Sequence, residues 1–230
     1  MMDGSSLAGF DGQTLDGLQF CSRVYDLFER LRQVEDGPSR LRMRKIEVEK
    51  KLIEELLPIC HYVQANCRPG RYIAVKWMKG NQQFDAEISQ RGALIDLGFV
   101  PSNAHLEVTC VMHQNDYLMR ELLDRDGVAF AVEGLKRDKQ TRAIESQPIV
   151  KGNSENSDAF SQLVLERITR KTEINYPENT TLVVACSLNS VYLEDDWVNL
   201  TDRVQAHMPK HAFREIYMYD GTSGLFSRFR

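Results

Sequence analysis

The chain predicts an α/β protein: a mixed central β-sheet flanked by helices, with an N-terminal helical extension. Three observations predict it. Two long stretches near the start carry apolar residues every three or four positions. Three short segments of alternating apolar and polar residues follow between residues 71 and 111. Further on, Thr181-Leu182-Val183-Val184-Ala185-Cys186 is almost continuously apolar, as expected of a strand covered on both faces.

Residues 1–13 are small and polar, with Gly4, Gly9 and Gly12, and read as a loose tail. Over residues 14–34, Leu15, Leu18, Val24, Leu27, Phe28 and Leu31 recur at helical spacing, until Asp36-Gly37-Pro38-Ser39 breaks the pattern. A second long helix is expected over residues 40–65. Ile46, Ile53, Leu56, Leu57 and Cys60 form its stripe, and Pro58 is a kink or an end. Strands are expected at 71–77, 83–90 and 106–111, and a helix at 115–124 that ends near Gly127. Residues 134–157 are polar and read as a long loop or an inserted hairpin. A helix at 158–171, the strand at 181–186, a helix at 195–208 and strands at 213–219 and 225–229 complete the order. Residues 1–37 are thus a tail and first helix, and residues 38–230 an α/β domain.

Composition bounds the function. A hydrophobic share of 42% and a charged share of 27% suit a soluble globular chain of 230 residues. A net charge of -4 disfavours nucleic-acid binding driven by global charge and leaves a local basic face open. The five cysteines (Cys21, Cys60, Cys67, Cys110, Cys186) are odd in number and form no CxxC pair. They read as reduced thiols of a cytoplasmic protein, with no structural zinc spacing. No signal-peptide pattern and no membrane-length apolar run is present, so no membrane partner is expected.

The chemistry rests on Asp85 in Gln83-Phe84-Asp85-Ala86-Glu87-Ile88 and Glu107 in His105-Leu106-Glu107-Val108-Thr109-Cys110-Val111. Each acid lies in an alternating, strand-like segment. A buried strand acid needs a cationic partner, and hard divalent cations prefer carboxylate and carbonyl oxygens. Two readings stand side by side: a metal site for phosphodiester chemistry, or acids on the open face of a half-buried sheet.

The order of elements around these acids resembles the PD-(D/E)xK nuclease superfamily, with its restriction-endonuclease-like core. That core is a helix, a three-strand meander, a helix and a further strand. It carries an acid on the second strand and an acid-x-Lys signature on the third. The resemblance spans roughly residues 40–220 and rests on order and context more than on letters. It implies that Asp85, Glu107 and the Val108 carbonyl bind Mg²⁺ or Mn²⁺, and that the reaction is hydrolysis of nucleic acid, with DNA the expected polymer. Thr109 departs from the pattern, since it stands where the family has its lysine and carries no charge. Lys76 and Lys79 are possible substitutes or merely solvated charges.

The resemblance extends to His113 and Tyr117, which fall where the recombination-exonuclease branch has Gln-x-x-x-Tyr. At i and i+4 on one helix face, both could point at the site. It also implies a glutamate on the first core helix. Glu49 is preferred because it interrupts an apolar stripe, whereas Glu54 and Glu55 fall off the stripe and read as solvated. The alternative for Glu49 is a salt bridge to a neighbouring helix. Arg40, Arg42, Arg44, Lys45, Lys50 and Lys51 could grip phosphates, or form a salt-bridged surface with the interspersed glutamates. Two further functions remain open: a nuclease fold that binds nucleic acid or protein without cutting, and an assembly protein that pairs with a partner or second copy through its N-terminal helices.

Overall fold

The computed structural model describes residues 5–80, 82–129, 131–187 and 193–230. In chain order the strands are β1 (Thr14–Asp16), β2 (Tyr72–Trp77), β3 (Ala86–Arg91), β4 (Asn103–Val111), the separate hairpin β5 (Leu135–Arg137) and β6 (Ile144–Ser146), β7 (Thr180–Cys186), β8 (Glu215–Asp220) and β9 (Phe226–Phe229). The main sheet has seven strands in the order β1-β2-β3-β4-β7-β8-β9. β1 to β4 form an antiparallel meander, β4, β7 and β8 run parallel, and β9 is an antiparallel edge. The α/β class with a mixed, helix-flanked sheet is therefore as the pattern predicts.

The helices are α1 (Ser5–Ala8), α2 (Gly17–Gln33), α3 (Gly37–Met43), α4 (Glu47–Lys51), α5 (Leu57–Asn66), α6 (Ala93–Asp96), α7 (Asp116–Asp126), α8 (Asn153–Thr172) and α9 (Glu194–Ala206). Successive residues of β4, β7 and β8 serve opposite layers, as the pleat requires. Leu106, Val108, Val183 and Tyr217 face α2 and α5, while Val111, Leu182, Val184 and Ile216 face α8 and α9. Among the described residues no helix is long and apolar enough to cross a membrane.

The N-terminus differs from expectation. Leu7 and Phe10 are buried, and the Gly12 N–H donates to the Trp77 carbonyl at 2.9 Å. Residues 14–16 are an edge strand, too short to show alternation in the sequence. The Asp16 side chain then caps α2 by accepting from the Leu18 N–H at 3.0 Å. Phe20, Val24, Leu27 and Leu31 lie in the same apolar cluster as Leu56, Ile59, Val63 and Val75. The first helix is thus a wall of the main core, with Leu18 of its predicted stripe left 63% exposed. At Gly17 the approach to β2 is so close that a Cβ would sit 2.8 Å from the Ile73 carbonyl oxygen.

The expected second helix is three segments. Arg44 takes a left-handed conformation (φ 52°) and ends α3. Between α4 and α5 the chain makes a π-turn, Leu52–Leu56, in which the Leu57 N–H donates to the Leu52 carbonyl. Pro58 explains the local repair. It has no N–H to give to the Glu54 carbonyl, and the Cys110 thiol of β4 donates to that carbonyl instead, at 3.6 Å.

Candidate functional site

Asp85 stands one residue before β3 rather than inside it. Its N–H donates to the Leu106 carbonyl at 2.8 Å, and its own carbonyl accepts from the Met78 N–H at 2.9 Å, so it is still clamped between β2 and β4. Ala86 pairs with Leu106, and the Asp85 N–H reaches the same Leu106 carbonyl, so Asp85 is an extra residue at the end of the ladder, its charge close to that of Glu107. Here β3 leaves β4, which runs on beside β7 to Val111. The Asp85 side chain replaces the next rung of the ladder, since Oδ2 accepts from the Val108 N–H at 2.8 Å. The N–H and C=O of one strand residue point to the same edge, so the Val108 carbonyl faces the same gap.

Around this pair the chain gathers four more polar side chains. Lys171, in the last turn of α8, donates its ammonium to Glu107 Oε1. Glu55, on the π-turn, accepts from Lys51 Nζ at 2.5 Å and from Trp77 Nε1 at 3.2 Å. The Tyr176 hydroxyl is buried beside Glu107. Three carboxylates thus face two ammonium groups.

The electrostatics follow from that arrangement. Burial pushes the Asp85 carboxyl up to about 7, with the charges of Glu107 and Glu55 adding to it and the Val108 N–H and Lys171 opposing it. Burial also raises Glu107, against the pull of Lys171. Tyr176 is pushed up by burial and by the negative charge of Glu107. Crowded carboxylates that hold their protons this tightly are what a cation would relieve.

The donor set fits a hard divalent cation. Among the described residues no group of three or more His, Cys, Asp or Glu is arranged to hold a metal. Mg²⁺ commonly takes only one or two carboxylates and keeps waters or phosphate oxygens in its other positions. Asp85, Glu107 and the Val108 carbonyl offer such a partial shell.

The other predicted residues fall elsewhere or take other roles. Thr109 is buried on the same face of β4 as Glu107, one pleat further on. His113 precedes α7, in a turn closed by the Asp116 N–H on the His113 carbonyl, and its Nδ1 accepts from the Asn115 N–H. The helix starts three residues too late for His113 and Tyr117 to share a face. His113 lines a cavity of about 550 Å³ with Asp116, Glu133 and Lys151. Tyr117 is 55% exposed beside Arg137.

Glu49 is 1% exposed, with Oε1 on Arg40 Nε at 2.7 Å and Oε2 on the Ile46 N–H at 3.3 Å. It ties α4 to α3, the salt bridge named above as its alternative. Lys76 pairs with Glu87 and Lys79 with Glu47 at the surface. In the basic stretch, Arg40, Arg42, Arg44 and Lys51 each meet an acid, which is the salt-bridged reading.

Three side chains of the cluster escape sequence reasoning. Glu55 is turned toward Asp85 by the wide π-turn, which shifts the helical phase on which its exclusion rested. Lys171 closes a helix and reads locally as a charge complementing the helix dipole. Tyr176 lies in the loop before β7. Neither Lys171 nor Tyr176 carries a local signal of its link to Glu107. Compared with family models, curated proteins and solved structures, the chain matches none.

Proposed function

We propose that the chain is a metal-dependent phosphodiesterase of the nuclease type, acting on nucleic acid with DNA the expected polymer. One observation carries this reading: where β3 leaves β4, the Asp85 carboxylate is latched to the Val108 N–H beside Glu107, and Lys171 sits on Glu107. Asp85, Glu107 and the Val108 carbonyl would hold Mg²⁺ or Mn²⁺. Such an ion, when bound, lowers the pKa of a coordinated water and offsets charge on the phosphate.

The chain's own groups divide the remaining work. Lys171 supplies the positive charge that Thr109 lacks, reaching the strand from α8 rather than from the signature position. An ammonium held at a buried carboxylate is pre-oriented to stabilise charge growing on a phosphate oxygen. The Tyr176 hydroxyl, held beside Glu107, can donate to a water or to the phosphate. Thr109 can order a water on the same face. Glu55 adds negative charge behind Asp85 and so strengthens the demand for a cation.

A second reading keeps the fold and drops the cleavage. Asp85 already satisfies the Val108 N–H and Glu107 already has a counter-ion, as they would in a polar cluster serving the fold alone. Binding of nucleic acid or protein would then be the function.

The test is cleavage of linear, circular and single-stranded DNA and of RNA, with Mg²⁺ and with Mn²⁺. Wild type is compared with Lys171→Met and with the double variant Asp85→Asn, Glu107→Gln. The expected result is metal-dependent cleavage by wild type alone. No cleavage on any substrate, with binding of the same panel retained, would replace the first reading by the second.

A further inference from the structure

β2, β4, β7 and β8 start, and β3 and β9 end, at one end of the main sheet. The loop from β3 to β4 crosses that end and contains α6. Its backbone closes on itself. The Gly98 N–H donates to the Ile95 carbonyl and the Phe99 N–H to the Leu94 carbonyl, with Gly98 left-handed at φ 76°. This is the paired bonding of a Schellman stop, in which the residue after the glycine commonly folds down on the helix. Phe99 instead stands 69% exposed, as does Leu97. The loop is also tied to its neighbours: the Leu94 N–H donates to the Gly70 carbonyl, and Arg214 Nη2 to the Phe99 carbonyl at 3.3 Å. At its foot lies the half-exposed Tyr72, whose ring is 3.3 Å from where a Cβ on Gly92 would sit. Large apolar side chains are thus held in solvent by a hydrogen-bonded backbone, which marks an interaction surface.

The same end is basic, in a chain whose net charge is -4. Arg68 in the turn before β2, Arg91 at the end of β3 and Arg230 just past β9 are exposed, and Arg214, half-buried, precedes β8. None of these four arginines is in a salt bridge among the described residues. Burial lowers the hold of Arg214 on its proton, and the charges of Arg71 and Arg230 add to this against that of Glu215. The acids in the segments that build this end are Asp96 and Glu178, both exposed, and Glu215, which is buried and engaged by Arg228 and Tyr62.

We infer that this end of the sheet docks on the surface of a bilayer containing anionic lipid, with Leu97 and Phe99 entering it and Arg68, Arg91, Arg214 and Arg230 meeting its headgroups. Apolar tips ringed by cations suit such a surface: the tips reach the acyl boundary, and long cationic side chains keep their charge at the lipid phosphates. A nucleic acid would engage the arginines and leave Leu97 in water. A second copy meeting this end would bring like charges together. Surface contact needs no spanning helix, so the lack of a membrane-length apolar run does not bear on it. The inference does not depend on the acid cluster being catalytic.

The test is flotation of the full chain with vesicles of phosphatidylcholine alone and of equal parts phosphatidylcholine and phosphatidylserine. Wild type is expected to float with the anionic vesicles, to stay behind with the neutral ones, and to be released by high salt. Leu97→Ser with Phe99→Ser, and separately Arg91→Gln with Arg230→Gln, are each expected to weaken binding by about tenfold or more. All four side chains are exposed, so the unfolding temperature should hold. The indole of Phe99→Trp should shift its emission to the blue on anionic vesicles and be quenched by brominated acyl chains, whereas Trp77 and Trp197 are already buried and should not respond. Absence of flotation on anionic vesicles, equal flotation on both kinds, or flotation undiminished by Leu97→Ser with Phe99→Ser would each overturn the inference. A dimer in sedimentation velocity that this variant dissolves, without flotation of wild type, would assign the surface to a second copy. A DNA oligonucleotide that binds through Arg91 and Arg230, again without flotation, would assign it to nucleic acid.

Discussion

Lys171 and Glu107 stand 64 residues apart in the chain and meet as an ion pair between the end of α8 and the middle of β4. The lysine is 26% exposed and the carboxylate side chain 10%. Replacing Lys171 by Met leaves Glu107 buried without a counter-ion. Solvent reaches the lysine, so we expect a loss of about 1–3 kcal/mol at pH 8, less than a fully buried pair would show. Glu107 takes up a proton as the pH falls, so the loss should shrink in acid. Urea unfolding of both proteins at pH 8 and pH 5 measures it, and an equal loss at both would separate the stability effect from the charge.

Asp85 sets a pH dependence of stability. Its carboxyl is raised to about 7 in the folded chain, chiefly by burial, from about 3.9 when unfolded. Between those values the folded state holds a proton that the unfolded state has lost, so stability falls as pH rises through the window and levels off above 7. Asp85→Asn keeps an acceptor for the Val108 N–H and should flatten this slope, leaving the variant more stable than wild type at pH 8. Added Mg²⁺ or Mn²⁺ should stabilise wild type at pH 8 and not at pH 5, and should leave the Asp85→Asn, Glu107→Gln variant unchanged. Unfolding temperatures across pH 4–9, with and without the ion, test both expectations.

Glu49 is a fold residue, and its partner shows how to separate it from the site. Arg40→Ala strands a carboxylate that is 1% exposed. The expected cost is about 3 kcal/mol, in the range for breaking a buried pair from one side. Cleavage per folded molecule should not change. A variant that kept its stability and lost cleavage would return Glu49 to the metal site.

Gly17 is a packing constraint rather than a flexible joint. A methyl group there meets the Ile73 carbonyl at 2.8 Å and Val63 Cγ1 at 2.9 Å. Gly17→Ala should destabilise by about 1–3 kcal/mol through overpacking, although alanine is the better helix former. A chemical-denaturation midpoint unchanged from wild type would show that α2 can shift away from β2 at little cost.

Much of the frame is legible because burial writes itself as periodicity. The almost continuous apolar run at 181–186 marks a strand between two layers, and it lies between β4 and β8. Asp85 and Glu107 are legible as a pair because both fall in alternating, strand-like segments, although Asp85 proves to stand just before its strand. The rest is carried by long-range or irregular features. β1 is three residues long and takes its place from β2. Arg44 breaks a helix by a left-handed backbone that its side chain does not advertise. The π-turn changes which glutamate faces the sheet, so a strict count by three and four selects Glu49 over Glu55. His113 falls on the wrong side of a helix start, and three residues undo the i, i+4 argument. Lys171 belongs to Glu107 only after the parallel crossover through α8 has been made.

The last rung between β3 and β4 is closed by a side chain, not by a peptide. Asp85 Oδ2 therefore has two suitors, the Val108 amide and any cation that enters the gap. A cation that drew this carboxylate away from the amide would unlatch the strand edge, and the sheet would become a zip whose end stop is a titratable group. Deuterium uptake at the single Val108 amide would then report on charge at Asp85, turning one backbone proton into a gauge of the site beside it.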